Sequence, residues 1–250
     1  MVFTMKKKNN LIKKIIIFFF VICSLGLFGS LYSKNNTNNS SVSNNDIDWS
    51  NVTISCLGDS LTAGFKIDKG YPIVLKEQLG VKNCINYGIS GSTIGYYYEP
   101  MCSRFNKISN TSDIIIVMGG YNDFKYVPEL GTIDDYGSTT LYGALNMICK
   151  GLKQQHPNSY IFFMNNFKYD YIENTNVNGY SYKDYLYTAT NEVCKKYDID
   201  VFDTYNELDF ETSRDTFDNC HVTQDYVNNV WVPSIIDFIK ENYKQNKYKG

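Results

Sequence analysis

The sequence predicts a three-layer α/β/α domain built on a central, mostly parallel sheet of about five strands. Three observations predict it. Short apolar, β-branched runs recur along the chain. Between them lie longer stretches whose apolar residues fall at helical spacing. Pro and Gly punctuate the joins where helices start and stop. Strands alternating with helices at this spacing imply βαβ units, hence parallel pairing with helices covering both faces.

The elements follow in order. Val52–Leu57 reads as a buried strand. Tyr71-Pro72 opens a helix that runs to Leu79 and stops at Gly80. Cys84–Tyr87 is a second, short strand. Ile114–Met118, bounded by Asp113 and Gly119, is a third. Leu141, Ala144, Leu145, Ile148, Cys149 and Leu152 share one helical face. Tyr160–Met164 is the fourth strand. Tyr182, Tyr185, Leu186, Ala189 and Val193 form a second helical stripe, and Asp200–Phe202 is the last strand. Ile235, Phe238 and Ile239 place a helix near the C-terminus, with Pro233 in or before its first turn. Ligands of such sheets bind beyond the carboxyl ends of the strands. The loops after Leu57, Tyr87, Met118, Met164 and Phe202 are therefore where a site is expected.

Residues 1–32 read as a targeting or anchoring segment. Lys6, Lys7, Lys8, Lys13 and Lys14 precede Ile15–Tyr32, an almost unbroken apolar run of 18 residues. That run is at the lower limit for spanning a bilayer as a helix and is longer than most signal-peptide cores. It is expected to be an uncleaved single-pass anchor in the cell membrane, with a cleaved signal peptide and a secreted product as the alternative. Positive charge stays inside, so the rest of the chain faces outward in either case. Residues 33–48 form a polar linker of Asn, Ser, Thr and Lys that cannot bury enough surface to offset its chain entropy. Residues 49–250 are globular in composition.

The charge pattern excludes some partners. The leader has no acidic residue; without its five lysines, 19 of the 24 basic residues remain against 26 acidic ones, a net of −7. A body this acidic lacks the basic face that nucleic acid requires. Six cysteines lie beyond Cys23, at irregular spacings and with no C-x-x-C pair. An exported domain could pair them. A body of about 200 residues needs no such staples, and free buried thiols are the expectation.

Four sequence blocks at strand ends carry chemistry. After the first strand comes Gly58-Asp59-Ser60-Leu61-Thr62-Ala63-Gly64, where small residues permit a sharp turn that presents Ser60 at a helix N-terminus. After the second comes Asn86-Tyr87-Gly88-Ile89-Ser90-Gly91-Ser92-Thr93, whose glycines let backbone N–H groups approach a ligand. After the third comes Gly119-Gly120-Tyr121-Asn122-Asp123, with an amide able to donate to a developing oxyanion. Near the C-terminus stands Asp218-Asn219-Cys220-His221, a spacing that lets a carboxylate orient an imidazole of the same turn. The chain has two histidines. His156 precedes Pro157 in a polar stretch and is expected to be a solvated surface residue, which leaves His221 as the candidate base.

Taken together and in this order, the four blocks resemble the SGNH (GDSL) hydrolase family over nearly the whole globular part. The resemblance implies Ser60 as nucleophile, His221 as general base and Asp218 as its orienting partner. It implies an oxyanion hole from the Ser60 and Gly91 backbone N–H groups and the Asn122 side chain. Gly58, Asp59, Gly120 and Asp123 fall on motif positions that organise the loops. No metal or cofactor is required. Val222 stands where many relatives have Pro, and Ser92 where many have Asp or Asn; neither change removes a catalytic atom.

The expected activity is hydrolysis of short acyl esters through an acyl-Ser60 intermediate, with O-acetylated surface glycans as candidate substrates. An acyltransferase acting on a glycan hydroxyl and a lipase-like acylhydrolase would use the same residues. A non-catalytic binding module is the remote alternative. Tyr96-Tyr97-Tyr98, Tyr121 and Tyr126 could line a sugar-stacking groove. With 22 tyrosines in the chain, however, core or rim packing is the expectation for them. The oligomeric state is not legible in the sequence.

Overall fold

A computed structural model describes residues 47–126, 129–170 and 175–244. The expected anchor and all but the end of the linker lie outside the described residues. Among the described residues, no helix is long and apolar enough to cross a membrane.

Five strands form one all-parallel sheet in the order β2-β1-β3-β4-β5. They are β1 (Thr53–Gly58), β2 (Asn83–Gly88), β3 (Ile114–Met118), β4 (Tyr160–Met164) and β5 (Asp200–Phe202). The three inner strands β1, β3 and β4 are buried at every position, which is why β3 and β4 read as unbroken apolar runs; β1 also buries Thr53 and Ser55. The two edges are weaker: β2 is half-exposed along its length and β5 has three residues. Short or polar edges discourage pairing with another chain. The register sets Gly58 of β1 beside Gly88 of β2 and Met118 of β3, so three motif-bearing loops leave the sheet side by side.

Helices cover both faces. α1 (Ser60–Ala63) is a single turn directly after β1, and α2 (Tyr71–Leu79) follows with Pro72 in its first turn and Gly80 closing it in the left-handed conformation. α3 (Met101–Arg104), α4 (Tyr121–Tyr126), α5 (Leu141–Gln155), α6 (Ala189–Lys196) and α7 (Val232–Asn242) complete the main set. α2 and α7 pack together on one face of the sheet; α3, α5 and α6 lie on the other. α5 is capped by the Thr140 side chain, which accepts from the Gly143 N–H, and buries Leu141, Leu145, Ile148 and Leu152 completely. Each such side chain contributes about 1.5–3 kcal/mol. Close packing on that face needs Gly151, since a Cβ there would lie 2.2 Å from the Phe105 ring.

Two stretches are wound as π-helix, Lys183–Thr188 before α6 and Val227–Trp231 before α7. The apolar stripe beginning at Tyr182 is therefore wider-wound in its first half than a 3.6-residue period requires. His156 also departs from expectation. It closes α5 through its N–H to Leu152 O and is 3% exposed. The turn that returns the chain to β4, with Ser159 N–H donating to His156 O, folds its ring inward. Burial pushes its pKa down, which keeps the imidazole neutral. The six cysteines of the described residues are free thiols; Cys56, Cys102, Cys149 and Cys194 are buried, and Cys84 and Cys220 are partly so.

Candidate active site

Strand order reverses between β1 and β3: the chain leaves β1 toward β2 on one side and resumes at β3 on the other. In open α/β sheets a crevice opens beyond the carboxyl ends of the strands at that switch point. Ser60 follows β1 and Asn122 follows β3, so both stand at this crevice. Two close contacts shape the turn into α1. A Cβ on Gly58 would fall 1.9 Å from Thr62 Oγ1, so the residue before Asp59 must be glycine. Asp59 caps the turn, its carboxylate accepting the Leu61 N–H at 3.0 Å.

The fourth block reaches this point from 161 residues away. His221 Nε2 lies 2.9 Å from Ser60 Oγ, and His221 Nδ1 lies 2.8 Å from Asp218 Oδ2. The turn holding them is tight: Asn219 is left-handed at φ 63°, Phe217 N–H donates to His221 O, and a bridge joins Thr216 to Val222. Asp218 Oδ1 also accepts the His221 N–H at 2.7 Å and the Cys220 N–H at 3.1 Å. Burial alone would raise the Asp218 carboxyl; these donors and the His221 ring outweigh it and hold the carboxyl below its ordinary value. The imidazole is flanked by Phe65 at 4.6 Å and by Phe217 at 5.9 Å between ring centroids. Cys220 beside it is no competing nucleophile, because burial pushes its thiol up to about 12.

The candidate donors come from the other two blocks. Gly91 has φ 81°, a left-handed conformation that favours glycine. Among the described residues, neither the Ser60 nor the Gly91 N–H meets a hydrogen-bond acceptor. Asn122 donates one Nδ2 hydrogen to Ser92 O at 2.9 Å, which fixes the amide plane and leaves the second hydrogen for another acceptor. Gly120 has φ 113°, and a Cβ there would meet Leu186 Cδ2 at 2.5 Å. Asp123 is fully buried and accepts the Ile94 and Gly95 N–H groups at 2.7 and 2.8 Å, tying the second-block loop to α4. Burial pushes Asp123 up to about 6 and Asp59 up to about 7, against the N–H donors that favour their charged forms.

Three organising roles escape sequence reasoning, one of them at Asn86 within the second block. Arg104 is 5% exposed and spreads its guanidinium over four acceptors: Glu99 O at 2.9 Å, Tyr87 O at 2.5 Å, Gly58 O at 2.7 Å and Ser92 Oγ at 2.9 Å. It is one of two arginines in a lysine-rich chain, which is the one signal of it in the sequence. Asn86 donates to Thr62 O and accepts the Gly88 N–H, bracing β2 against α1. Asn166, after β4, donates to Gly119 O at 2.6 Å. All three stabilise backbone that surrounds Ser60.

A hydroxyl, an imidazole and a carboxylate in line can move a proton off the hydroxyl and make it a nucleophile. Residues 56–225 match the model of the GDSL-like lipase/acylhydrolase family, more than half of the chain. The chain belongs to the GDSL-like lipase/acylhydrolase family. It is accordingly an ester-bond hydrolase. A solved protein from Lactobacillus plantarum is similar over 78% of this chain and 99% of its own, at 27% identity and a TM-score of 0.71. A Chitinophaga pinensis structure described as a possible lipase is similar over 76% and 98%, at 20% identity and a TM-score of 0.61, a likeness of fold. No curated protein matches the chain significantly.

Proposed function

We propose that this GDSL-family hydrolase cleaves short acyl esters at Ser60, on glycans or other molecules outside the cell membrane. The observation that carries the mechanism is His221, whose ring spans Ser60 Oγ at 2.9 Å and Asp218 Oδ2 at 2.8 Å. Ser60 Oγ attacks the ester carbonyl carbon while His221 Nε2 takes its proton. The resulting oxyanion is met by the Ser60 N–H, the Gly91 N–H and the second Asn122 Nδ2 hydrogen. Collapse breaks the ester C–O bond, and His221 returns the proton to the departing alcohol. Water then attacks acyl-Ser60 by the same route and releases the acid.

The place and the acyl length rest on different support. The lysine-rich, acid-free leader followed by 18 apolar residues suits an anchor that leaves the body outside. A flexible linker of the length of residues 33–48 reaches roughly 20 Å, enough to hold the site off the bilayer. Beyond residue 33 no long apolar segment suggests a lipid-binding lid.

Ser60→Ala tests the mechanism. It is expected to abolish hydrolysis of p-nitrophenyl acetate and labelling by a fluorophosphonate while leaving the circular dichroism spectrum unchanged. A tenth of wild-type turnover remaining would sink it. Rates on p-nitrophenyl esters from C2 to C16 test the acyl length: a maximum at C10 or longer makes the enzyme lipase-like and overturns the short-acyl reading.

A further inference from the structure

Four of the eight large hydrophobic side chains exposed among the described residues are tyrosines gathered at one place: Tyr96, Tyr97, Tyr98 and Tyr126. Their exposures are 55%, 59%, 52% and 39%, so they lie outside the core, while Tyr121 packs edge-on against Tyr169. Two segments supply them. Tyr96–Tyr98 lie in the loop that carries Gly91 and Ser92, and Tyr126 ends α4, the helix that carries Asn122. The Tyr97 and Tyr126 rings are stacked, with centroids 4.8 Å apart and planes 10° apart. Lys125 Nζ lies 4.9 Å over the Tyr126 ring. At its inner end the cluster touches the site: the Tyr98 ring lies 3.8 Å from where a Cβ on Gly91 would stand.

The backbone beneath these rings is held firmly. Asp123, three residues before Tyr126 on α4, binds the Ile94 and Gly95 N–H groups immediately before Tyr96. Thr93 N–H donates to Tyr98 O at 3.1 Å, Thr93 Oγ1 to Gly95 O at 2.8 Å, and Tyr96 N–H to Ser138 O at 2.8 Å. One buried carboxylate thus ties together the two segments that carry the stacked rings. Leaving such rings in water forgoes about 25 cal/mol for each Å² that could be buried. Exposed aromatic rings gathered beside a site are a candidate binding surface.

We propose that these tyrosines form a platform for a neutral glycan, binding pyranose rings of the substrate on the side of the site that carries Gly91 and Asn122. This rests on the reading of the enzyme as an esterase of acylated glycans. The chemistry of the rings selects the class. Tyr126, stacked on Tyr97 and lying under Lys125 Nζ, backs the platform, while Tyr96, Tyr97 and Tyr98 pair an apolar ring with a hydroxyl at its edge, as a pyranose pairs a C–H face with hydroxyls around its rim. Aromatic groups with one apolar and one wet end suit surfaces of this mixed kind. An acyl chain calls instead for an enclosed aliphatic groove. A rigid platform also loses little side-chain freedom on binding, since tyrosine turns about two torsions only.

Full-length Ser60→Ala, which binds without turnover, tests the platform with O-acetylated xylan and O-acetylated mannan, each also in deacetylated form. Binding to at least one backbone is expected, and Tyr97→Ala/Tyr126→Ala in that background is expected to weaken it at least tenfold. With Ser60 intact, Tyr97→Ala/Tyr126→Ala should raise KM on the bound acetylated glycan at least fivefold with kcat held. The same variant should cleave p-nitrophenyl acetate within twofold of wild type, which also shows that it is folded. Glycan binding that ignores the tyrosines overturns the platform and leaves the glycan-esterase reading standing. Binding to none of the glycans, with p-nitrophenyl acetate still cleaved, overturns both the platform and the glycan substrate but leaves Ser60 as nucleophile. Tyrosine-dependent binding to phosphatidylcholine vesicles in place of glycans overturns the assignment to sugar.

Discussion

Arg104 Nη2 donates to Ser92 Oγ at 2.9 Å, and the carbonyl of that same Ser92 accepts from Asn122 Nδ2 at 2.9 Å. A buried cation on α3 is thereby linked, through one serine, to the amide proposed to meet the oxyanion. The same guanidinium holds Gly58 O, two residues before Ser60. Nucleophile turn and oxyanion loop share one clamp.

Arg104→Met should therefore lower kcat on p-nitrophenyl acetate by at least tenfold and destabilise the fold by about 2–4 kcal/mol, since buried carbonyls lose a charged donor. Arg104→Lys keeps the charge but not the planar fork, so it should recover part of the stability and little of the rate. Denaturant titration beside steady-state kinetics separates the two effects. A variant that is destabilised yet turns over normally would reduce Arg104 to a packing role.

Asn122→Ala should cut kcat by about 10²–10³, the usual effect of losing one oxyanion donor. KM should hardly move, because the second Nδ2 hydrogen acts mainly in the transition state. An effect confined to KM would reassign Asn122 to substrate binding.

Asp218→Asn preserves shape but removes the carboxylate that accepts from His221 Nδ1. The ring then loses the partner that fixes its tautomer, and kcat should fall by about 10³–10⁴ with the thermal midpoint little changed. Retention of a tenth of the activity would show that the imidazole is oriented by other means, the flanking Phe65 and Phe217 first among them.

Asp59 gives a pH dependence with a definite sign. Burial raises its carboxyl from 3.8 to about 7 in the folded chain. Between those values the folded state holds a proton that the unfolded chain has released, so this group's contribution to stability is full below about pH 4 and is lost as pH rises through 7. Asp59→Asn mimics the protonated form and can still cap α1. Relative to wild type it should gain stability from pH 4 to about pH 7 and level off above it, measured as urea midpoints. A difference that stays constant across that range would contradict the raised value.

The parts of the fold that were legible are those with local causes. Ile114–Met118, Tyr160–Met164 and Asp200–Phe202 have the expected bounds, and α2 begins and ends at its Pro72 and Gly80 signals. The π-wound turn before α6 was not legible, because the tyrosines of that stripe tolerate either winding. In the site, Ser60, Asp218 and His221 carry distinctive functional groups and stand in short motifs. Arg104 works through acceptors at 58, 87 and 99, which are backbone carbonyls that any residue supplies. Their convergence exists only after β1 and β2 have paired. His156 departs from its expected exposure for a related reason: a polar neighbourhood in sequence says nothing of a turn that folds the ring inward.

The separation of 161 positions between Ser60 and His221 has a consequence for the order in which the protein is made. A ribosome delivers the serine early and the histidine late. Through most of synthesis the growing chain presents a serine hydroxyl with no base beside it, and the proposed chemistry must wait until the turn at 217–221 has emerged and docked against α1. A chain interrupted anywhere before that turn is inert by construction, so esterase activity reports on completion of the domain as well as on its folding.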